Sequence, residues 1–584
     1  MPLIGSIIML FTPALAYADT AIQPFQPDPT SDPTKPSNRP YLPPITESKA
    51  KENGHSLKLP GLPVDEAGKD TDKTPRITLK QVVFEGNSAI PDEELQEVAQ
   101  PYLNRRLTGS ELEELRYQLS LHYVEKGFVS SGAVIEKQTV TDGVLKIKLI
   151  EGKLTDVRVT DKTDEASEKD WFSRLWPLRD SYIRNRLIGD EEKPLNTQEL
   201  QERYLMLLND PLIERLNGSL MPGLHPGEAV LDLKVVRTRP YGGYLGADNF
   251  SPPSVGGYAG RMGAWVANLS GFGERIDFNF SATGGSNTYN TGIDIPLNAK
   301  GTRFAFRYTN SLNDLIEKPF DTLNIHSNVI SYDGQLSHPV LLSLQQKLTL
   351  GLNFNIRQDT TTIAGQPFNR PGADNGETQE TVVRTWQDYL HQGRDFDIAF
   401  RSTFSVGVNA LGATITNQVG DGRFFDWLGQ GVGRYRLPTN DFIPVGTYIS
   451  LSGAVQVADD KLLPLEKMAI GGVYTVRGYR QNYLVRDEGF YTALELAYPL
   501  FGGEPGSKHS LFLVPFFNYG GAWDYGSKSG DYVSSTGIGV DWHYSTLNAS
   551  LYWAQRLDTY KITQGTPYDL QDNGVTFQVN WRTF

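Results

Sequence analysis

The segment Tyr448–Ala458 reads YISLSGAVQVA and alternates apolar with small or polar side chains. The apolar side chains on one face are Ile449, Leu451, Val455 and Val457. The small or polar side chains on the other face are Ser450, Ser452, Ala454 and Gln456. Successive side chains of a strand point to opposite faces, so this pattern presents one face to an apolar medium and one to water. Strands of a membrane-spanning β-barrel need both faces, because one contacts lipid and the other lines a wet lumen.

The same alternation recurs from about Tyr241 to the C-terminus, and sixteen such segments are found there. An even number suits a single-chain bacterial barrel. The sequence therefore predicts a transmembrane barrel of 16 antiparallel strands over residues 240–584, whose longest connection is 459–488. The terminal Phe584 is an aromatic residue of the type that barrel-assembly machinery recognises at the end of a barrel. It is out of phase with the alternation of the last strand, and a bulge near Arg582 would correct this.

Composition excludes several classes of protein. Charged residues make up 21% of the 584 residues and the mean hydropathy is -0.37, which argues against a helical membrane protein. A net charge of -13 disfavours nucleic-acid binding. The chain has no cysteine, and its eight histidines show no metal-ligand spacing. We therefore expect no cofactor, no metal site and no enzymatic activity.

The N-terminal residues resemble a targeting segment followed by a tail. Residues 1–18 are apolar and end in Ala16, Tyr17 and Ala18, a small-x-small pattern typical of signal-peptide cleavage. The segment departs from the usual form of a signal peptide because no Lys or Arg precedes the apolar run. A buried N-terminal segment of the mature protein is the alternative. Frequent prolines predict a poorly ordered linker or tail over residues 19–75, with room for a helix only around Glu47–Asn53.

Two similar α+β modules are predicted between this tail and the barrel, at residues 76–152 and 153–239. The first runs strand, helix, helix, strand, strand, and Thr108 with Glu111 forms a capping box before its second helix. The second module repeats the order, with Asn196 at a helix N-terminus. A single larger α+β domain is the alternative reading.

The long connection contains the tetrapeptide Val476, Arg477, Gly478 and Tyr479. Here the chain resembles the two-partner secretion transporters (TpsB), whose signature is V-R-G-Y/F at the tip of a loop that folds back into a 16-stranded barrel. The two modules resemble the paired POTRA domains of that family, and the resemblance covers roughly residues 76–584.

In the family, the motif arginine pairs with an Asp within F-x-D-x-G. The matching residues here are Phe516, Asn518 and Gly520, so an asparagine stands in place of the Asp. An amide accepts a hydrogen bond but cannot neutralise a guanidinium. Either Asp524 or Glu495 compensates, or the loop is held more loosely than in relatives.

The resemblance implies an outer-membrane pore of a Gram-negative bacterium that secretes one large β-rich exoprotein from the periplasm to the cell surface. Periplasmic POTRA modules would capture this client, and the Val476–Tyr479 tip would act in the lumen. Outer-membrane lipid and, during biogenesis, the barrel-assembly machinery are the other expected partners. An insertase for outer-membrane barrels and a passive porin with a periplasmic binding domain remain as alternatives.

Overall fold

A computed structural model describes residues 56–59, 77–163, 176–189, 193–369, 372–416, 420, 422–504, 506–561 and 567–583. The predicted signal peptide at 1–18, the possible helix at Glu47–Asn53 and the terminal Phe584 lie outside the described residues. Within the described parts of the chain, no helix is long and apolar enough to cross a membrane.

The described N-terminal part contains a four-stranded sheet, a three-stranded sheet and a two-stranded sheet, and helices pack on the two larger ones. Its elements are β1 (Ser56–Lys58), β2 (Ile77–Leu79), β3 (Gln81–Glu85), α1 (Asp92–Ala99), β4 (Arg105–Leu107), α2 (Gly109–Glu125), β5 (Gly132–Val134), β6 (Val144–Ile150), β7 (Lys153–Asp161), α3 (Asp180–Leu187), α4 (Thr197–Leu208), β8 (Ile213–Pro222) and β9 (Glu228–Arg237).

The first module has the strand order β3-β6-β5 and its own apolar core. Helix α2 begins at the predicted capping box, in which Thr108 and Glu111 each bond the other's backbone N–H. Its buried Leu115, Leu119 and Tyr123 pack on the sheet, as their helical spacing predicts. The apolar face of α2 thus joins helix and sheet into one unit.

The second module has the strand order β1-β8-β9-β7, a separate apolar core, and Asn196 capping α4. Strand β1 corrects the prediction of a poorly ordered tail for these three residues. Ser56, Leu57 and Lys58 pair in parallel with β8. An edge strand offers unpaired backbone groups, and these accept an extended segment of almost any sequence.

The C-terminal part consists almost entirely of strands. They are β10 (Tyr241–Asp248), β11 (Ala259–Ala267), β12 (Arg275–Ala282), β13 (Ser286–Pro296), β14 (Arg303–Asp314), β15 (Ile325–Leu342), β16 (Gln346–Ile363), β17 (Gln366–Pro367), β18 (Glu377–Gln392), β19 (Phe396–Gly407), β20 (Phe425–Arg436), β21 (Tyr448–Ala458), β22 (Met468–Ile470), β23 (Leu484–Arg486), β24 (Glu488–Phe501), β25 (His509–Trp523), β26 (Asp531–Tyr544), β27 (Leu547–Arg556) and β28 (Val575–Arg582).

All of these except the short β17, β22 and β23 form a closed antiparallel barrel of sixteen strands, which confirms the predicted fold class. In β21 the side chains of Ile449, Leu451 and Val457 are exposed on the outside, whereas Ala454 and Gln456 are buried. The barrel closes where β10 pairs with β28, over the five residue pairs from Tyr244↔Arg582 to Asp248↔Gln578. We call this junction the seam.

The second module adjoins one end of the barrel, which we call the near end. Three residues lie between the end of β9 and the start of β10, and the turn after β11 contacts the module. The Arg179 backbone N–H donates to the Gly271 carbonyl at 3.1 Å, and the Arg179 guanidinium lies 4.0 Å from the Phe272 ring centroid. The connections that follow β10, β14, β21 and β27 therefore lie at the opposite, far end.

Glu151, directly after β6, ties the first module together. Its carboxylate accepts hydrogen bonds from the Ser88 and Ala89 backbone N–H groups, both at 2.8 Å, and from the Tyr123 hydroxyl at 2.9 Å. Burial raises the pKa of Glu151, but a hydrogen bond from the Ser88 hydroxyl, together with these three, outweighs burial and holds the pKa below its ordinary value.

Replacing Glu151 with glutamine is expected to destabilise the first module by about 2 kcal/mol, the scale of hydrogen bonds to a charged group. Because the pKa is lowered on folding, this stabilisation is present above the ordinary carboxyl pKa and is lost as the pH falls through the lowered value. Hydrogen exchange of residues 77–152 in the whole protein measures the change. Glu136→Gln is the control, because Glu136 forms an exposed pair with Lys148. Equal exchange in both variants would contradict the prediction.

Candidate functional site: the loop folded into the barrel

The connection between β21 and β24, residues 459–487, folds back into the lumen. The β22–β23 hairpin forms within it, a feature that the sequence analysis did not predict. Val476 and Tyr479 are almost fully buried, and both belong to an apolar cluster with Ala522 on the inner wall. A loop tip that is buried in this way occupies the barrel interior.

Arg477 is held on the wall formed by β24 and β25. Its Nη2 lies 2.6 Å from Glu495 Oε1, and its Nε donates to Asn518 Oδ1 at 2.9 Å. The guanidinium also lies 3.6 Å from the Phe516 ring centroid and 5.1 Å from that of Tyr552. The charge is therefore neutralised by a carboxylate and faced by two aromatic rings.

The structure distinguishes between the two carboxylates offered as compensation for Asn518. Glu495 contacts Arg477, whereas the proposal of Asp524 as a partner is wrong. Asp524 lies instead 3.4 Å from Lys467 Nζ and 3.6 Å from Arg486 Nε. Asp524 follows the end of β25 in a far-end connection, whereas Glu495 lies on β24 directly opposite Phe516.

The other motif residues fit the wall closely. A Cβ on Gly520 would lie 3.0 Å from Val476 Cγ2, so a side chain there would displace the loop. Gly478 has φ of +92°, a conformation that favours glycine. The Tyr479 hydroxyl donates to the Ser534 carbonyl at 3.1 Å, and its ring packs against those of Tyr483 and Tyr560.

A second attachment of the loop was missed by the sequence analysis. Glu466 Oε1 lies 2.5 Å from Arg384 Nη2 and 3.2 Å from Arg357 Nη1, and Arg357 also pairs with Glu380 at 3.2 Å. All four side chains are at most 5% exposed. The charged residues at inward positions of β16 and β18 could have indicated buried ion pairs. Their partner in the loop could not be identified from the sequence, because it depends on how the loop folds.

Tyr552 and Asp541 were also missed. The Tyr552 hydroxyl donates to Asp541 Oδ1 at 2.6 Å, and this bond orients the ring that faces Arg477. Both residues lie on inward positions of β26 and β27, far from the motif in the chain. The site is therefore assembled from one loop and four neighbouring barrel strands.

The chain is similar to known protein families, to characterised proteins and to solved structures. A family profile described as "Haemolysin secretion/activation protein ShlB/FhaC/HecB" matches residues 227–542, and one described as "POTRA domain, ShlB-type" matches residues 77–152. The "Heme/hemopexin transporter protein HuxB" of Haemophilus influenzae is 22% identical over 450 residues, covering 75% of this chain and 74% of the relative. The "Outer membrane transporter CdiB" of Escherichia coli O6:K15:H31 is 24% identical over 492 residues, covering 79% and 75%. The solved structure of CdiB from Escherichia coli has a TM-score of 0.64 at 18% identity, covering 92% of this chain and 95% of that one.

Proposed function

Because the chain belongs to the haemolysin secretion/activation family (ShlB/FhaC/HecB), it is an outer-membrane transporter of two-partner secretion, and we propose how its parts handle the exported chain. The N-terminal modules lie in the periplasm, so the near end of the barrel faces the periplasm and the far end faces the cell surface. The client is a secreted partner exoprotein, which we propose is large and β-rich. It enters at the modules, crosses the lumen and leaves at the far end.

We propose that the modules capture the unfolded client by strand addition. The pairing of β1 with β8 supports this, because this side of the second sheet already accommodates one extended segment and β1 is itself the edge strand there. Backbone hydrogen bonds supply affinity at such an edge without requiring a fixed sequence. This mode of binding suits a client that arrives unfolded.

The observation that carries the proposed mechanism is the attachment of the loop tip to the inner wall through Arg477 and Glu495. A loop fixed inside a closed barrel sets the width of the passage. We propose that the tip acts in the lumen by keeping the passage in the shape that admits an extended chain. Outer-membrane lipid is the proposed partner of the outer face, since the outward side chains of β21 are apolar, and the barrel-assembly machinery is the proposed partner during insertion.

Deleting the gene is expected to retain the partner exoprotein in the periplasm, while the content of other outer-membrane barrels stays unchanged. Surface and periplasmic fractions probed for the exoprotein, with complementation by the intact gene, test this. A general loss of outer-membrane barrels would favour an insertase. Unchanged secretion combined with a loss of small-solute permeation would favour a porin.

A further inference from the structure

Arg480, the residue directly after the motif, joins three connections at the far end of the barrel. Its Nε and Nη2 donate to Asp572 Oδ1 and Oδ2, both at 2.6 Å. Its Nη1 donates to Glu317 Oε1 at 2.5 Å. Glu317 lies in the connection between β14 and β15, and Asp572 in that between β27 and β28. One guanidinium therefore binds two carboxylates that belong to different far-end connections. Around the barrel rim, the seam and the strands on either side of it lie between these two connections.

Asp572 is itself positioned by several donors. It is fully buried and also accepts from the Tyr560 hydroxyl at 2.5 Å and from the Asp569 backbone N–H at 2.8 Å. The Asp572 carbonyl accepts from Arg556, which also donates to the Gly478 carbonyl at 2.7 Å. These bonds fix the connection between β27 and β28 against the loop tip.

The neighbouring Gln571 extends this contact to the seam. Its Oε1 accepts from the Gln481 backbone N–H at 2.8 Å, and its Nε2 donates to the carbonyls of Asn249 and Ser251 at 2.8 and 2.7 Å. Asn249 follows β10 and bonds across the seam to Val575 on β28 at 2.9 Å. The folded-in loop is thus connected to both strands of the seam.

The seam has only five residue pairs, whereas β13 and β14, for example, share eleven, from Ser286↔Asn313 to Pro296↔Arg303. A junction with few backbone hydrogen bonds gains most from additional bonds at its end. The contacts around Arg480 provide such bonds at the far end.

We propose that Arg480, Glu317, Gln571 and Asp572 form an outer latch, which closes the far mouth of the barrel and secures the seam until the exported chain displaces it. The inference rests on the proposed function, because it assumes that the client leaves through this mouth. The Arg477 attachment can persist while the latch opens, since the two arginines bind different strands and connections. Release of the latch frees the two connections to move away from the mouth.

The chemistry of the latch suits a contact that stays closed while no client is being exported. The Arg480 side chain is 11% exposed and that of Asp572 is fully buried, so losing Arg480 leaves a buried carboxylate without its cation. Burial raises the pKa of Asp572, but hydrogen bonds from Arg480 and Tyr560 outweigh burial and hold the pKa below its ordinary value. The carboxylate consequently stays ionised, and the latch closed, from neutral pH down to the lowered pKa.

Single-channel recording of the purified protein in planar lipid bilayers tests the latch without any client. Arg480→Ala is expected to raise the open fraction at least tenfold over the unsubstituted protein. Arg486→Ala is the matched control, because Arg486 lies in the same loop but forms exposed pairs with Asp524 and Asp531. An open fraction for Arg480→Ala no greater than that of the control would overturn the proposal.

A second variant keeps the test informative if Arg480→Ala does not fold. Glu317→Gln removes one arm of the latch and leaves the Arg480–Asp572 pair intact, so a smaller rise in open fraction is expected. Heat-modifiable migration on SDS gels verifies that each barrel is folded. If Arg480→Ala does not fold, an unchanged open fraction in Glu317→Gln refutes the latch. This experiment measures conductance and not secretion, so such a result does not contradict the proposed secretion function. The gene deletion tests that function separately.

Discussion

Replacing Arg477 with alanine is expected to abolish secretion of the partner exoprotein while the barrel still inserts in the outer membrane. The Arg477 side chain is 4% exposed and binds Glu495 and Asn518, both on the inner wall. The remaining charge, on Glu495, is 32% exposed and stays partly solvated, so removing Arg477 costs about 3 kcal/mol, the lower end of the range for breaking a buried ion pair. At about 1.4 kcal/mol per tenfold change in an equilibrium constant, the population with the tip in place falls by about a hundredfold.

The measurement compares exoprotein on the cell surface with exoprotein in the periplasm, and heat-modifiable migration monitors the barrel. Arg486→Ala is again the control, since its exposed ion pairs contribute little. We expect secretion by that variant to be normal. Normal secretion by Arg477→Ala would remove the loop tip from the mechanism.

Glu495→Gln is expected to reduce secretion at least tenfold, and adding Asn518→Asp is expected to restore it. The first change removes the carboxylate that neutralises Arg477 at 2.6 Å. The second supplies a carboxylate where Asn518 Oδ1 now accepts from Arg477 Nε at 2.9 Å. The charge is thereby moved from one strand to the next while its distance from the guanidinium is nearly kept.

Rescue by the double variant would show that the loop needs a negative charge beside Arg477, and not only a side chain of suitable shape. Asp524→Asn is the control, because Asp524 contacts Lys467 and Arg486 rather than Arg477, and its secretion is expected to be unchanged. If the double variant secretes no better than Glu495→Gln alone, neutralisation of Arg477 is not what the loop needs. Normal secretion by Glu495→Gln would show that Asn518 and the aromatic rings suffice.

Several features of the fold were predictable because their signals are local in sequence. Alternation along Tyr448–Ala458 reports the two environments of a strand, and β21 has the bounds that the pattern predicts. Thr108 and Glu111 are three residues apart, so their capping box could be predicted without any tertiary information. The β1 strand could not be predicted in this way, because the pairing of Ser56–Lys58 with β8 joins segments that are far apart in the sequence.

The candidate site divides in the same way. The motif around Arg477 could be recognised from the chain, but its acceptor could not be chosen between Glu495 and Asp524. That choice depends on strand register, because Glu495 lies opposite Phe516 and hence beside the guanidinium that covers the Phe516 ring. A register is set by the pairing of whole strands and cannot be read from one of them.

The sequence by itself determined that this protein is a barrel of sixteen strands, preceded by two modules and carrying an arginine at a loop tip. Only the tertiary structure decided which charges meet. Arg480 and Glu317 are 163 residues apart in the chain, and Glu466 and Arg357 are 109 apart. Alternation is imposed on each strand separately by lipid and water, whereas these pairs require a closed barrel with the loop folded inside it.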